Sequence, residues 1–206
     1  MAGMDEPSSP SLSLAALAVV VGIAQMLLAI VGVDPYALAL AWPLGENPWT
    51  LLTSVFAHSG PGHLLSNLIG LVVVGLFLER KTSPARFYAF FLATGIVAGV
   101  MEVTVATLVF DHRAAVLGAS GAVFALFGYV LGGNRLTEFV AGGITVSPVA
   151  QLGLLLVVAA GLTLATAGPQ TALIAHFTGL AVGVLSGRRH LLRSSTGPSS
   201  AHYSRR

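Results

Sequence analysis

The sequence contains no cysteine, and acidic and basic side chains together make up only 9% of its 206 residues. The first absence excludes disulfide staples, thiolate nucleophiles and thiolate metal ligands. The second excludes an ordinary soluble domain, in which about 25% of residues carry charge. It also removes the basic face that binding to nucleic acid requires, so no nucleic-acid partner is expected. The pI of about 9.4 comes from few charges and reflects where they lie. The first ten residues include no Lys or Arg, so they lack the positive n-region of a secretory signal. What the chain has instead is apolar length: 55% hydrophobic residues and a mean hydropathy of +0.85.

Each membrane span takes about 20 apolar residues, so a chain of this length accommodates six with short loops. The apolar segments are Ser11–Val33, His63–Leu78, Pro84–Phe110, Leu117–Gly132, Val146–Ala167 and Thr171–Gly187. The expected fold is therefore an all-α polytopic membrane protein, a bundle of six transmembrane helices over residues 11–187. It follows a polar N-terminal tail, residues 1–10. The second, fourth and sixth segments are short and carry polar residues, which suits helices shielded from lipid by longer neighbours. Residues 34–62 differ: Pro35, Pro43, Pro48 and Pro61 interrupt them, and Tyr36, Trp42 and Trp49 are aromatics of the type found at membrane interfaces. A structured, half-sunk interfacial loop is expected there. Residues 188–206 read as a basic, Ser-rich, disordered tail.

Lys and Arg set the orientation. With both termini cytoplasmic, Arg80, Lys81, Arg86, Arg135, Arg188, Arg189, Arg193, Arg205 and Arg206 lie inside and only Arg113 lies outside. The bare six-span form and short inner loops point to a prokaryotic cell membrane. This topology puts Ser120, about one turn into the fourth span, at the same depth as His176 in the sixth. His63 and Asn67 in the second lie there too, all just below the outer surface.

Polar side chains in hydrocarbon need a reason. A serine hydroxyl becomes a useful nucleophile when a base takes its proton, and His176 matches Ser120 in depth. Ala175, Gly179, Gly183 and Gly187 recur at spacing four around it, and Gly118, Gly121 and Gly128 flank Ser120. Small residues at this spacing let membrane helices approach closely. No Asp or Glu shares the depth, which favours a dyad over a triad. His63 and Asn67 share one helix face. With the Ser120 amide they have the donors that a developing oxyanion needs. Each residue also has a bland reading: Ser120 bonding back to its own helix, His63 solvated at a helix start, Asn67 making an interhelical hydrogen bond.

The run from Phe56 through His58, His63 and Asn67, followed by Gly75 and Glu79, resembles the second-helix signature of rhomboid intramembrane serine proteases. Gly118–Ala125 resembles their nucleophile segment and Ala175–Gly183 their base segment. The resemblance covers residues 45 to 187 and implies a rhomboid-like bundle that cuts transmembrane segments of substrate proteins from within the lipid bilayer, near the outer face. By this resemblance Ser120 is the nucleophile and His176 the general base. His63, Asn67 and the Ser120 amide form the oxyanion hole, and no metal or other cofactor is needed. Gly118, Gly121, Gly179, His58 and Phe124 support the site. Two positions depart from the family pattern: Thr50 follows Trp49 where Arg is common, and Phe124 stands where a Tyr commonly packs beneath the histidine.

Three alternatives remain at this point. One is a catalytically inactive rhomboid-like protein that binds client transmembrane helices. Another is a membrane cytochrome with His63 and His176 as axial ligands. The third is a small transporter, for which Glu102, deep in the third span and without an obvious partner, is the one suitable residue. His112 is a rival base by nearness in sequence, and Glu79 reads as an interfacial or structural carboxylate.

Overall fold

The computed structural model describes residues 9–133 and 172–193, with isolated positions (147, 149, 150, 153, 157 and 161) between them. Apart from those positions, the fifth expected span, Val146–Ala167, lies outside the described residues, as does the tail beyond Arg193. Within them the chain is mostly helical. Helix α1 (Pro10–Ile30) leads to a 3-10 turn (Pro35–Leu38), strand β1 (Leu40–Ala41) and helix α2 (Thr50–Phe56). Then come α3 (Pro61–Glu79), α4 (Pro84–Leu108), strand β2 (Ala115–Val116), α5 (Ser120–Gly133) and α6 (Leu173–Arg188). Helices α1, α3 and α4 are long and apolar enough to cross a membrane; α5 and α6 are shorter apolar helices.

Proline opens α1, α3 and α4, where its missing N–H costs nothing and its fixed φ suits the helix. The Ser9 and Ser83 hydroxyls cap α1 and α4. On α3, Leu65, Ile69, Val73 and Phe77 recur every four residues and are exposed, whereas Asn67, Leu71, Val74 and Leu78 are buried. An exposed apolar stripe of this kind is a liability in water and is the proper surface in lipid. Val20, Ile23, Leu27 and Ile30 of α1 are exposed in the same way. The apolar core sits between α3, α4 and α5, around Leu71, Phe87, Phe91 and Leu126.

Lipid offers no water to the unpaired N–H groups at helix starts, so another residue must satisfy them. Glu79, at the end of α3, meets this need for α1. It accepts the Ser9 hydroxyl at 2.7 Å and the Ser11 amide at 2.9 Å. At the same end of the bundle the first residues of the basic tail are ordered. The Leu192 amide donates to Tyr129 Oη at 3.0 Å, and Arg86 Nη1 donates to the Arg193 carbonyl at 2.6 Å.

The segment between α1 and α3 is tied down at several points. Gln25 of α1 is buried and uses both ends of its amide: Nε2 donates to the Pro35 carbonyl at 3.0 Å and Oε1 accepts the His58 amide at 2.9 Å. Replacing Gln25 by Leu strands both backbone groups. The His58 amide is buried and costs about 1–3 kcal/mol when unpaired, so the variant is expected to unfold several degrees lower in detergent, as read by thermal denaturation. An unchanged Tm would mean that water replaces the amide.

Candidate active site

Two loops, residues 31–60 and 109–119, meet at the end of the bundle where α3, α5 and α6 begin. β1 pairs antiparallel with β2, Leu40 opposite Val116 and Ala41 opposite Ala115. The Gly118 amide then donates to the Ser54 carbonyl at 2.8 Å. The approach to Ser120 is thus held by the segment between α1 and α3. These bonds also delay the helix. The fourth apolar segment was expected to be helical from Leu117, but α5 starts at Ser120, because Ala115 and Val116 are in a strand pair and Gly118 has φ +121°. That conformation favours glycine. Ser120 is therefore the first residue of its helix rather than one turn inside it, and its N–H is among those the helical ladder leaves free.

The His63 ring lies directly against Gly118. A Cβ at that position would sit 2.6 Å from Cε1 and 2.8 Å from Nε2. The other ring nitrogen, Nδ1, is 3.1 Å from the Ser59 hydroxyl. Asn67, one turn along α3, is buried and donates from Nδ2 to the His63 carbonyl at 2.9 Å; its amide has a second N–H to offer. The His58 ring meets that of His63 edge to face, centroids 5.1 Å apart. His58 Nδ1 is 2.9 Å from the Phe56 carbonyl, which can only accept, so Nδ1 carries the proton. Burial, and then the neighbouring His63, lower the His58 pKa to about 4, which keeps this ring neutral at physiological pH.

His176 is buried in the first turn of α6. Its ring stacks on Phe124, with centroids 4.2 Å apart and planes inclined by 15°. Phe124 lies one turn along α5 from Ser120, so the two share a helix face. His176 Nδ1 is buried without a hydrogen-bond partner. Glycine permits this approach: a Cβ on Gly179 would strike the Gly121 carbonyl.

A cavity of about 340 Å³ opens beside His63 and Ser59, lined also by Tyr36, Glu102, His112 and Arg113 among others; Ser120 and His176 are not among its lining residues. His112 and Arg113 therefore lie at its rim rather than in a distant loop. Glu102, which has no obvious partner in the sequence, accepts the Ala175 amide at 2.8 Å. This bond occupies the one carboxylate on which a transport pathway would have drawn. Among the described residues no three His, Asp or Glu side chains gather as a metal site would require. Sequence reasoning missed Gln25, Ser59 and the Ser54 carbonyl. Their only signal is polarity in or beside an apolar segment, and their partners are mainly backbone groups.

These features define an integral membrane protein, a bundle of apolar helices with His63, Asn67, Ser120 and His176 at one end. The chain belongs to the rhomboid family: the Rhomboid domain model matches residues 45–192. It is 31% identical to RHOMBOID-like protein 4 of Arabidopsis thaliana over 153 residues, 74% of this chain and 36% of that protein. Over 83 residues it is 39% identical to Rhomboid-related protein 3 of Homo sapiens, covering 40% of this chain and 19% of that protein. Over 95 residues it is 33% identical to Inactive RHOMBOID-like protein 8 of Arabidopsis thaliana, covering 45% and 26%. The chain spans between 19% and 50% of the length of these and other curated relatives.

Proposed function

We propose that the protein is an intramembrane serine endopeptidase that hydrolyses peptide bonds in or near transmembrane segments of other membrane proteins. The observation that carries this reading is the joint placement of Ser120 and His176. Ser120 opens α5, and the His176 ring lies on Phe124 one turn along the same helix. In this reading His176 takes the proton from Ser120 Oγ as it attacks the substrate carbonyl. It then returns that proton to the leaving amine. Phe124 presents its π face to the imidazolium that forms in between, a favourable contact for a cation. The oxyanion is met by the Ser120 N–H, the second N–H of Asn67 and Nε2–H of His63. The last requires the tautomer in which His63 Nδ1 accepts from Ser59, an arrangement that the 3.1 Å contact accommodates because a hydroxyl can donate or accept. Water then hydrolyses the acyl-enzyme. The Lys and Arg distribution further supports cytoplasmic termini, with the site open to the outer face.

The relative named inactive favours a second reading, a non-catalytic rhomboid-like protein that binds client helices. One experiment separates them: cleavage of a panel of tagged single-span proteins in liposomes by wild type and by Ser120→Ala. Cleavage near one end of the span, present in wild type and absent in the variant, is the expected result. Equal cleavage by both would sink the mechanism. No cleavage by wild type, while an active rhomboid cuts the same panel, would favour client binding.

A further inference from the structure

We infer that Glu102 is a positioning residue for His176, acting through the N-terminus of the helix that carries it; the inference rests on the protease reading above. An ionisable side chain in an apolar helix marks either function or an obligatory partner, and here the partner is α6. Glu102 Oε2 accepts the Ala175 amide at 2.8 Å, and the Ile174 amide reaches the same carboxylate. Ile174 and Ala175 are the second and third residues of α6, and Ala172, which precedes the helix, provides no side-chain cap. Glu102 therefore supplies from α4 the cap that α6 lacks.

His176 follows Ala175 directly, so the height and rotation of this capped turn determine where the imidazole lies. Beyond the packing of α6 against α5, little holds the ring itself. Nδ1 has no hydrogen-bond partner, so no carboxylate orients the ring as in a triad, and the flat stack on Phe124 leaves the ring able to slide in its own plane. The carboxylate that would orient an imidazole directly in a triad here holds the backbone from which the imidazole hangs. Its charge has a second effect. The base becomes a cation during the reaction, at a helix N-terminus whose dipole opposes positive charge. Glu102 places a carboxyl group at that same terminus. Tyr36, His63, His112 and Arg113 are the other titratable or charged groups around the cavity that Glu102 lines.

The test compares wild type, Glu102→Gln and Glu102→Ala on one substrate in liposomes, with Tm measured for each and Ser120→Ala as the blank. Glu102→Ala removes the acceptor; misplacing a reacting group by about 1 Å costs on the order of 100-fold. A fall in kcat of about 10- to 100-fold is expected, with KM unchanged within about twofold. In Glu102→Gln the amide oxygen still accepts from Ala175, while the charge and the second acceptor oxygen are lost. Its kcat is expected about two- to fivefold below wild type. A merely structural carboxylate would lower Tm and the amount of active enzyme without this graded order in kcat at constant KM. The inference is overturned if Glu102→Ala keeps wild-type kcat, if the loss appears in KM, or if Glu102→Gln at wild-type Tm is as slow as Glu102→Ala. Should the alanine variant not fold, the kcat of Glu102→Gln decides: equal to wild type or more than about tenfold lower overturns the inference. Activity that survives Ser120→Ala overturns the protease reading instead.

Discussion

Ser120→Ala, His176→Ala and the double variant are expected to cleave a transmembrane substrate at one common residual rate, roughly 10³- to 10⁶-fold below wild type. The convergence tests more than the size of the loss. A nucleophile and the base that activates it act as a unit, so once either is gone, removing the other has nothing left to impair. Independent contributions would multiply instead, and the double variant would fall to the product of the two single effects. The structure makes this test clean on the histidine side, because the ring packs on Phe124 and its Nδ1 has no hydrogen-bond partner to disturb. Single-turnover cleavage by the three variants, with each Tm recorded, provides the comparison. A His176→Ala variant that retained more than about a tenth of wild-type activity would move the base elsewhere. His112 at the rim of the cavity would be the next residue to replace.

The polar end of the bundle was legible because hydrocarbon makes polar residues conspicuous. Ser120, His63, Asn67 and His176 stand out in segments that are mostly apolar. The positive φ at Gly118 and the crowding along α6 both fall on glycines visible in the sequence. Contacts that link a side chain to distant backbone were not legible. The sequence gives Glu102 no partner because the partner is an N–H of Ala175, 73 residues away, and any residue but proline would offer the same group. Gln25 is one amide in a long apolar helix until the loop it holds, at Pro35 and His58, folds against it. Glu79 and Glu102 reveal a shared logic visible only in three dimensions. Each is a carboxylate within an apolar helix that satisfies the first amides of another helix, α1 in one case and α6 in the other. The start of α5 departs from the hydropathy for a related reason. Hydropathy continues smoothly from Leu117 into the helix, whereas the strand pair and the Gly118–Ser54 bond that hold back the helix involve backbone alone.

Gly183→Val is expected to separate α5 from α6 and to abolish activity, although the residue lies two turns from His176. Gly183 is buried in the largest helix–helix contact among the described residues. A Cβ there would run into the Ala125 carbonyl. The obstacle is main chain, so no rotamer change can relieve it; one helix must move. The contact is also reciprocal. Gly179 and Gly187 face the Gly121 and Tyr129 carbonyls from α6, while Gly128 and Gly132 face the Leu180 and Val184 carbonyls from α5. Membrane helices gain most of their association energy from such backbone-level packing, because lipid removes the hydrophobic drive between them. Overpacking a core costs about 1–3 kcal/mol when side chains can adjust, and occasionally more; a clash with backbone belongs at or above the top of that range. The separation would reach the site along α6, since Gly121 packs beside Ala175 and Phe124 against the His176 ring. Thermal unfolding in detergent should show a Tm lower by several degrees at least, with cleavage lost even at temperatures where the variant remains helical. Gly45→Ala, at a position with open space around it, should match wild type in both measurements. A Gly183→Val protein with wild-type Tm and cleavage would mean that the two helices do not meet at this distance in the bilayer.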